Sequence, residues 1–280
     1  MFKIAKSIAA ALASAQAHGL DRIDAQLLLL HLLGHEDAGR AWLIAHDGDA
    51  LEPALAERFA ALCQRRSAGE PVAYLTGHKP FHGIDLQVDA RVLDPRPDTE
   101  TLVDWALERL ADQSAPRVLD LGTGSGAIAL ALAHARPDAQ VSAVDASDDA
   151  LAVARANAEW LRLPVAFTLS DWFSRVDGAY ELIVSNPPYI AEGDRHLPAL
   201  RHEPRAALVA GADGLSDLRT IVAQAAQHLT PGGWLLLEHG WDQAQVVQDL
   251  LRSAGFTETQ TRNDLADIGR CSGGRRPRVK

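Results

Sequence analysis

From residue 2 to about residue 69 apolar side chains recur at three- and four-residue intervals, interrupted at His18-Gly19, Gly34, Gly48 and Gly69. That rhythm predicts a small bundle of about four helices. Between Pro71 and Glu100 it gives way to alternation (Ile84, Leu86, Val88, then Val92), punctuated by Gly77, Gly83, Pro80, Pro95 and Pro97. This stretch reads as a hairpin and linker, after which Thr99 is expected to cap a helix through Leu102 to Leu110. Beyond residue 116 short apolar runs alternate with helical stretches: Val118 to Leu121, a helix to Ala135, Val141 to Val144, a helix to Leu161, Val165 to Leu169, then Leu182 to Val184. Trp234 to Leu237, Phe256 to Thr261 and a segment near Cys271 to Val279 complete the set. The expected fold class is α/β: a Rossmann-like domain with a mostly parallel seven-stranded sheet, preceded by a small helical bundle. The expected division is 1–70 bundle, 71–100 hairpin and linker, and 101–280 catalytic domain.

Composition narrows the function. With 280 residues and 47% apolar content the chain can bury a real core. A formal net charge of −10 disfavours a broad grip on nucleic acid, which depends on Lys and Arg displacing counterions. Cys63 and Cys271 form neither a disulfide framework nor a zinc spacing, which suggests a reducing, cytoplasmic compartment. His31 and His35 have i, i+4 spacing, but Gly34 ends the helix between them, so helix-end or packing roles are expected and no metal site. The opening MFKIAKSIAAALASAQA has the outline of a signal peptide. Its apolar run is mostly alanine, however, and Ile4, Ile8, Leu12 and Ala15 share one face, as in a retained amphipathic helix. No stretch reaches the roughly 20 apolar residues of a membrane span. The basic tail (Arg270, Arg275, Arg276, Arg278, Lys280) reads as a solvated last strand.

The segment VLDLGTGSGAIALALA places Gly122, Thr123, Gly124, Ser125 and Gly126 between a strand and a helix. Glycines there let the backbone approach a ligand at the helix N-terminus. The spacing Gly122-x-Gly124-x-x-Ala127 also fits a dinucleotide site, so by itself it does not choose a cofactor. Asp120, two residues earlier, would repel a pyrophosphate but suits the amino group and sulfonium of S-adenosylmethionine. Asp145, about twenty residues beyond the glycines, is placed to accept ribose hydroxyls. Asp171 and Trp172, in LSDWF, are expected to clamp the adenine by hydrogen bonding and stacking.

The stretch ELIVSNPPYI runs a buried-strand pattern into Asn186, Pro187, Pro188 and an exposed-looking Tyr189. Prolines make this exit stiff and extended, and it lies at the same carboxyl edge as the glycine loop. The Asn186 amide oxygen and the Pro187 carbonyl are two fixed acceptors for a planar NH₂ group, with Tyr189 stacked on its plane. Such a group is a poor nucleophile because its lone pair is delocalised, and two acceptors favour the bent geometry of attack.

Taken in order, PVAYLTGHKPFHG, RPDTE at Arg96 to Glu100, the glycine loop, Asp145, DWF, SNPPYI, Glu203-Pro204 and HGWDQ at His239 to Gln243 resemble the protein-(glutamine-N5) methyltransferases that modify peptide chain release factors, the HemK-type enzymes. Asp94 departs from the pattern, where an apolar residue is expected. The resemblance implies methyl transfer from S-adenosylmethionine, yielding S-adenosylhomocysteine, to the glutamine of a Gly-Gly-Gln loop in class-one release factors. It puts Gly122 to Gly126, Asp145, Trp172 and Asn186 around the cofactor and Asn186 to Tyr189 around the glutamine. It also implies that the N-terminal helices grip the release factor. Two other functions fit parts of the pattern. One is a nucleic-acid adenine N6-methyltransferase, since the adenine amine suits the same Asn-Pro-Pro-Tyr geometry; the other is a dinucleotide-binding Rossmann module.

Overall fold

The computed structural model describes residues 6–278, and the chain divides into two units. The first runs to His78 and includes Ala199–His202. It contains α1 (Ile8–Ala17), α2 (Arg22–Leu33), α3 (Gly39–Ala45), α4 (Pro53–Ser67) and α5 (Val72–Thr76). Ser7 caps α1 by accepting the Ala10 N–H, Asp21 caps α2 at Ile23, and Gly34 ends α2 at φ +70°. Ile8, Ala15, Leu28, Leu29, Leu43, Phe59 and Cys63 form its core, with Leu12 packed against it. Ile4, of the expected α1 face, lies outside the described residues, as do Val279 and Lys280. The short helix α5 stands where alternation had suggested a hairpin. Arg201 and His202 both reach the Ala68 carbonyl at the end of α4, which ties Ala199–His202 to this unit.

His31 and His35 do not converge. His31 Nδ1 is 2.7 Å from Glu36 Oε1, which also faces His78, whereas His35 stacks on Trp42 with ring centroids 4.0 Å apart. Among the described residues no helix is long and apolar enough to cross a membrane.

The second unit opens with a hairpin, β1 (His78–Phe81) and β2 (Ile84–Gln87), and continues through α6 (Glu100–Leu110), β3 (Arg117–Leu121), α7 (Ala127–Ala135), β4 (Gln140–Asp145), α8 (Asp148–Leu161), β5 (Val165–Leu169) and β6 (Tyr180–Ser185). It ends with α9 (Ser216–His228), β7 (Leu229–Glu238), α10 (Ala244–Ser253), β8 (Thr257–Asn263) and β9 (Gly269–Arg275). The sheet order is β5-β4-β3-β6-β7-β9-β8, parallel except at β9, which runs antiparallel to both neighbours. Strands β3 and β6 are buried almost throughout, which is why their sequences are apolar runs rather than alternations. The chain winds outward in both directions from the β3–β6 pair. This switch point leaves a crevice beyond the carboxyl ends of those two strands. Leu121 pairs with Ser185, so Gly122 and Asn186 leave the sheet side by side.

Helix α7 starts at Gly126, whose φ is +86°. A Cβ there would sit 2.8 Å from Leu130 Cδ1 and 3.4 Å from the Ala154 methyl. Gly126→Ala should therefore combine backbone strain with overpacking and destabilise the fold by about 2 to 3 kcal/mol. Urea unfolding should show this as a lower midpoint at unchanged slope.

Candidate active site

A cleft of about 420 Å³ lies at the switch point, within the size range of small-molecule sites. Gly122, Thr123, Gly124, Ser125, Asp145, Asp171, Trp172, Asn186 and Pro188 line it. These residues come from four strand ends, brought together by the sheet order alone. Gly126, Pro187 and Tyr189 are not on its wall.

The loop after β3 is held in shape by side chains beneath and beside it. Asp145 accepts the Gly124 N–H through Oδ2 and the Ser147 N–H through Oδ1, both at 2.9 Å. Each carboxylate oxygen keeps a further lone pair for a ligand hydroxyl. Ser147 caps α8, so one acid fixes both the glycine loop and the start of that helix. Asn157, fully buried on α8, accepts the Gln87 N–H at 2.7 Å and donates to the Gln87 and Ser125 carbonyls at 2.9 Å. It thereby fastens the hairpin to the far side of the glycine loop.

Asp120 does not face the cleft. It is completely buried, accepts the Thr123 hydroxyl at 2.7 Å, and among the described residues has no partner within hydrogen-bond geometry for its second oxygen. Burial, with a contribution from Asp145, pushes its carboxyl up to about 7.

Trp172 stands at φ +44°, and its ring lies 3.4 Å from where a Gly122 side chain would begin. Gly122 is needed for that approach as well as for its own positive φ. Asp217 on α9 lines the cleft together with Trp172. A glycine cradle, a cleft-lining carboxylate with lone pairs to spare, an aromatic face and a buried carboxylate below fit S-adenosylmethionine.

On the other side of the crevice, the Asn186 Nδ2 donates to Thr99 Oγ1 at 3.2 Å. Thr99 was expected to cap α6, but its backbone is helical and its side chain makes no cap bond. Among the described residues no group donates to Asn186 Oδ1 or to the Pro187 carbonyl. Tyr189 is less exposed than its sequence context suggested. It packs on the core of the sheet and donates its phenol to Glu238 Oε1 at 3.2 Å. Burial, then the Glu238 charge, holds that phenol far above its usual value, so it remains a donor.

The remaining motifs brace this edge. Gln243 accepts the Gly240 N–H at 2.8 Å and donates to the Tyr189 carbonyl at 3.0 Å. Gly214 lets the same turn come close, since a Cβ would meet the Tyr189 carbonyl oxygen at 2.4 Å. His239 is buried between the Gly240 carbonyl and Ser272, and burial lowers its pKa, so it is structural and neutral. Arg96 grips both oxygens of the buried Glu203 at 2.6 and 2.8 Å, tying the wall at Leu93 and Pro95 to that at Pro204, Ala206 and Ala207. Asp94, out of pattern as a sequence feature, is buried and paired with Lys79 at 3.1 Å and Arg96 at 3.4 Å. Neither Asn157 nor Asp217 carried a motif signal. A lone Asn or Asp within an amphipathic helix resembles any solvated residue until its partner is known.

Solved structures with this fold include a methyltransferase from Pyrococcus furiosus (TM-score 0.54, 18% identity, covering 70% of this chain and 90% of that one). Another is a Thermus thermophilus 16S rRNA N2 G1207 methyltransferase in complex with AdoMet and guanosine (TM-score 0.53, 22% identity, covering 71% of this chain and 49% of that one). Residues 99–262 match the family described as Methyltransferase small domain. With this cleft, they define an S-adenosylmethionine-dependent methyltransferase.

The remainder of the chain specifies which kind. Residues 4–77 match the PrmC N-terminal domain. The release factor glutamine methyltransferase of Bordetella pertussis is 50% identical, covering 91% of this chain and 95% of that protein. The one from Escherichia coli is 44% identical, covering 95% and 96%. The chain belongs to the release factor glutamine methyltransferase family.

Proposed function

We propose that the chain transfers a methyl group from S-adenosylmethionine to the side-chain amide nitrogen, N5, of the glutamine in the Gly-Gly-Gln motif of a class-one peptide chain release factor, acting in the cytoplasm. The observation that carries this reading is the Asn186 carboxamide at the switch point, its N–H committed to Thr99 and its oxygen left to accept. Bound S-adenosylmethionine supplies an electrophilic methyl on a sulfonium. Gly122 to Ser125, Asp145, Asp171 and Trp172 are assigned to hold it; Gly126 supports the loop from within.

Asn186 Oδ1 and the Pro187 carbonyl are assigned to the two hydrogens of the substrate amide. Accepting both enriches the nitrogen and stabilises the positive charge that grows on it during attack. Pro187 and Pro188 keep the acceptors from drifting, because φ is fixed at each. Tyr189, anchored on Glu238, is assigned to stack on the glutamine side chain. Attack leaves the nitrogen cationic, with the new methyl and both hydrogens, and the sulfonium leaves as the neutral thioether; that N-protonated amide is strongly acidic, so one proton is lost to water without a dedicated base. No step is assigned to a metal ion. The N-terminal helices are assigned to hold the body of the release factor, and no direct nucleic-acid contact is required.

The test is mass spectrometry of an unmodified release factor incubated with the protein and S-adenosylmethionine, alongside adenine-containing DNA and RNA. One added methyl on the Gly-Gly-Gln glutamine is expected. Methyl on adenine, with none on the factor, would replace this reading with the nucleic-acid one.

A further inference from the structure

We propose that His31, Glu36 and His78 form a binding site for a divalent transition metal, Zn²⁺ in particular, which clips the end of α2 to the last stretch of the first unit. All three residues belong to that unit, which runs to His78, and none of them lines the cleft. His31 thus finds its metal-compatible partners elsewhere than at His35.

Local folding brings the three side chains together from separate segments. His31 sits in the last turn of α2, which Gly34 ends in the left-handed conformation at φ +70°. The reversal leads into a short 3-10 turn, Glu36–Ala38, whose first residue returns its carboxylate to His31. His78 arrives 42 positions beyond Glu36, after Gly77 ends α5 at φ +81°. The Thr76 hydroxyl donates to the His78 carbonyl at 3.3 Å, which steadies this second turn. Both imidazoles are therefore presented from defined backbone positions.

Glu36 Oε1 lies 2.7 Å from His31 Nδ1 and 3.4 Å from His78 Nε2, and the three facing atoms all lie within 4.8 Å of one another. The two rings are tilted by 41° with centroids 6.1 Å apart, so they are turned toward a shared oxygen rather than stacked. Ordinary surface pairs differ. His82 with Asp104 and His196 with Asp194 each join one imidazole to one carboxylate. Among the described residues, His31, Glu36 and His78 are the one group of three His, Cys, Asp or Glu side chains that converges this closely.

Two imidazoles and one carboxylate suit Zn²⁺, which takes His nitrogen and carboxylate oxygen at about 2.0 to 2.2 Å in a tetrahedron whose edge is about 3.3 Å. The His78–Glu36 separation already has that length. The His31–Glu36 contact, a hydrogen bond here, has to open by roughly 0.6 Å. Glu36 is the most exposed of the three side chains, at 39% against 30% and 31%, so it is the one best able to adjust. Each ring binds as the neutral tautomer, its proton on the nitrogen that faces away from Glu36. Three protein ligands leave the fourth position to water. A single carboxylate does not meet the oxygen-rich shell that Ca²⁺ requires, and the absence of a thiolate disfavours soft ions.

The experiment titrates the full chain, free of any added histidine tag and stripped of metal with a chelator, with ZnCl₂ by calorimetry. One equivalent is expected. His31→Ala and His78→Ala should each weaken binding about 10-fold or more, and Glu36→Gln, which keeps the shape and gives up the anionic oxygen, by a similar factor. His35→Ala should bind as wild type does, because His35 stacks on Trp42. Zn²⁺ should raise the thermal midpoint of wild type and leave that of the combined His31→Ala/His78→Ala variant unchanged. Cofactor affinity within about threefold of wild type in every variant verifies folding. Co²⁺ in place of Zn²⁺ should give the visible absorption of a tetrahedral ion in wild type alone. No stoichiometric Zn²⁺ binding by wild type, or equal affinity in wild type and both histidine variants, which marks an adventitious ion only, would overturn the proposal. Methyl transfer to the glutamine is measured separately, so failure here leaves that reading standing.

Discussion

Asn186→Ala is expected to lower kcat by about 100-fold, roughly 2.7 kcal/mol of transition-state stabilisation, while cofactor affinity changes by less than about threefold. The asymmetry follows from when the contact matters. A ground-state glutamine amide holds little charge on its nitrogen, so losing one acceptor weakens binding by only about 1 kcal/mol. During attack the nitrogen turns positive and its hydrogens become much stronger donors, so the missing acceptor is felt mainly there. The side chain is on the cleft wall and only part-buried, so its removal leaves no large cavity. Thr99 is left without its Asn186 partner, a loss common to ground and transition states and thus invisible in kcat. Single-turnover kinetics with saturating cofactor measure the chemical step directly. A rate within a factor of about three of wild type would remove Asn186 from the mechanism.

Much of the second unit was legible because each of its layers has a strong local signature. Fully buried parallel strands such as Val118 to Leu121 and Leu182 to Val184 read as continuous apolar runs, and the glycines mark the turn that follows the first. The order of those strands has no local signature, yet it is what places Gly122 beside Asn186. Family resemblance supplied that step where periodicity could not. Polar side chains defined by distant partners were the least legible. Thr99 looked like a helix cap because a Thr before an acidic first turn usually is one, but an amide from a strand end 87 positions away claims its hydroxyl. Asp120 was read as a ligand-facing carboxylate from its place beside the glycines. The pleat turned it into the core instead, since adjacent strand residues face opposite sides of a sheet and both sides are covered here. Asp94 failed the apolar pattern for a similar reason, because Lys79 and Arg96 supply in space the charges that its sequence neighbourhood does not advertise.

Asp145→Ala should act on the opposite kinetic quantity, raising the dissociation constant for S-adenosylmethionine about 30-fold, roughly 2 kcal/mol, with kcat near wild type once the cofactor is saturating. Two losses combine. The ribose hydroxyls lose their acceptors, and the Gly124 and Ser147 N–H groups lose theirs, so the loop is no longer held in its binding shape before the cofactor arrives. Asp145→Asn separates the two contributions. It retains one oxygen in place and can still brace Gly124 or Ser147, but not both, and should weaken binding by an intermediate amount. Thermal unfolding with and without cofactor provides the check, because the stabilisation from a ligand is RT ln(1 + [L]/Kd). At a concentration about 100 times the wild-type constant, wild type should gain about 2.7 kcal/mol and Asp145→Ala about 0.9. Equal gains would show that the acid at the end of β4 contributes to cofactor affinity neither as a ligand nor as a brace of the loop. The ribose would then have to be held by other groups of the cleft, while the Asn186 prediction would stand unchanged.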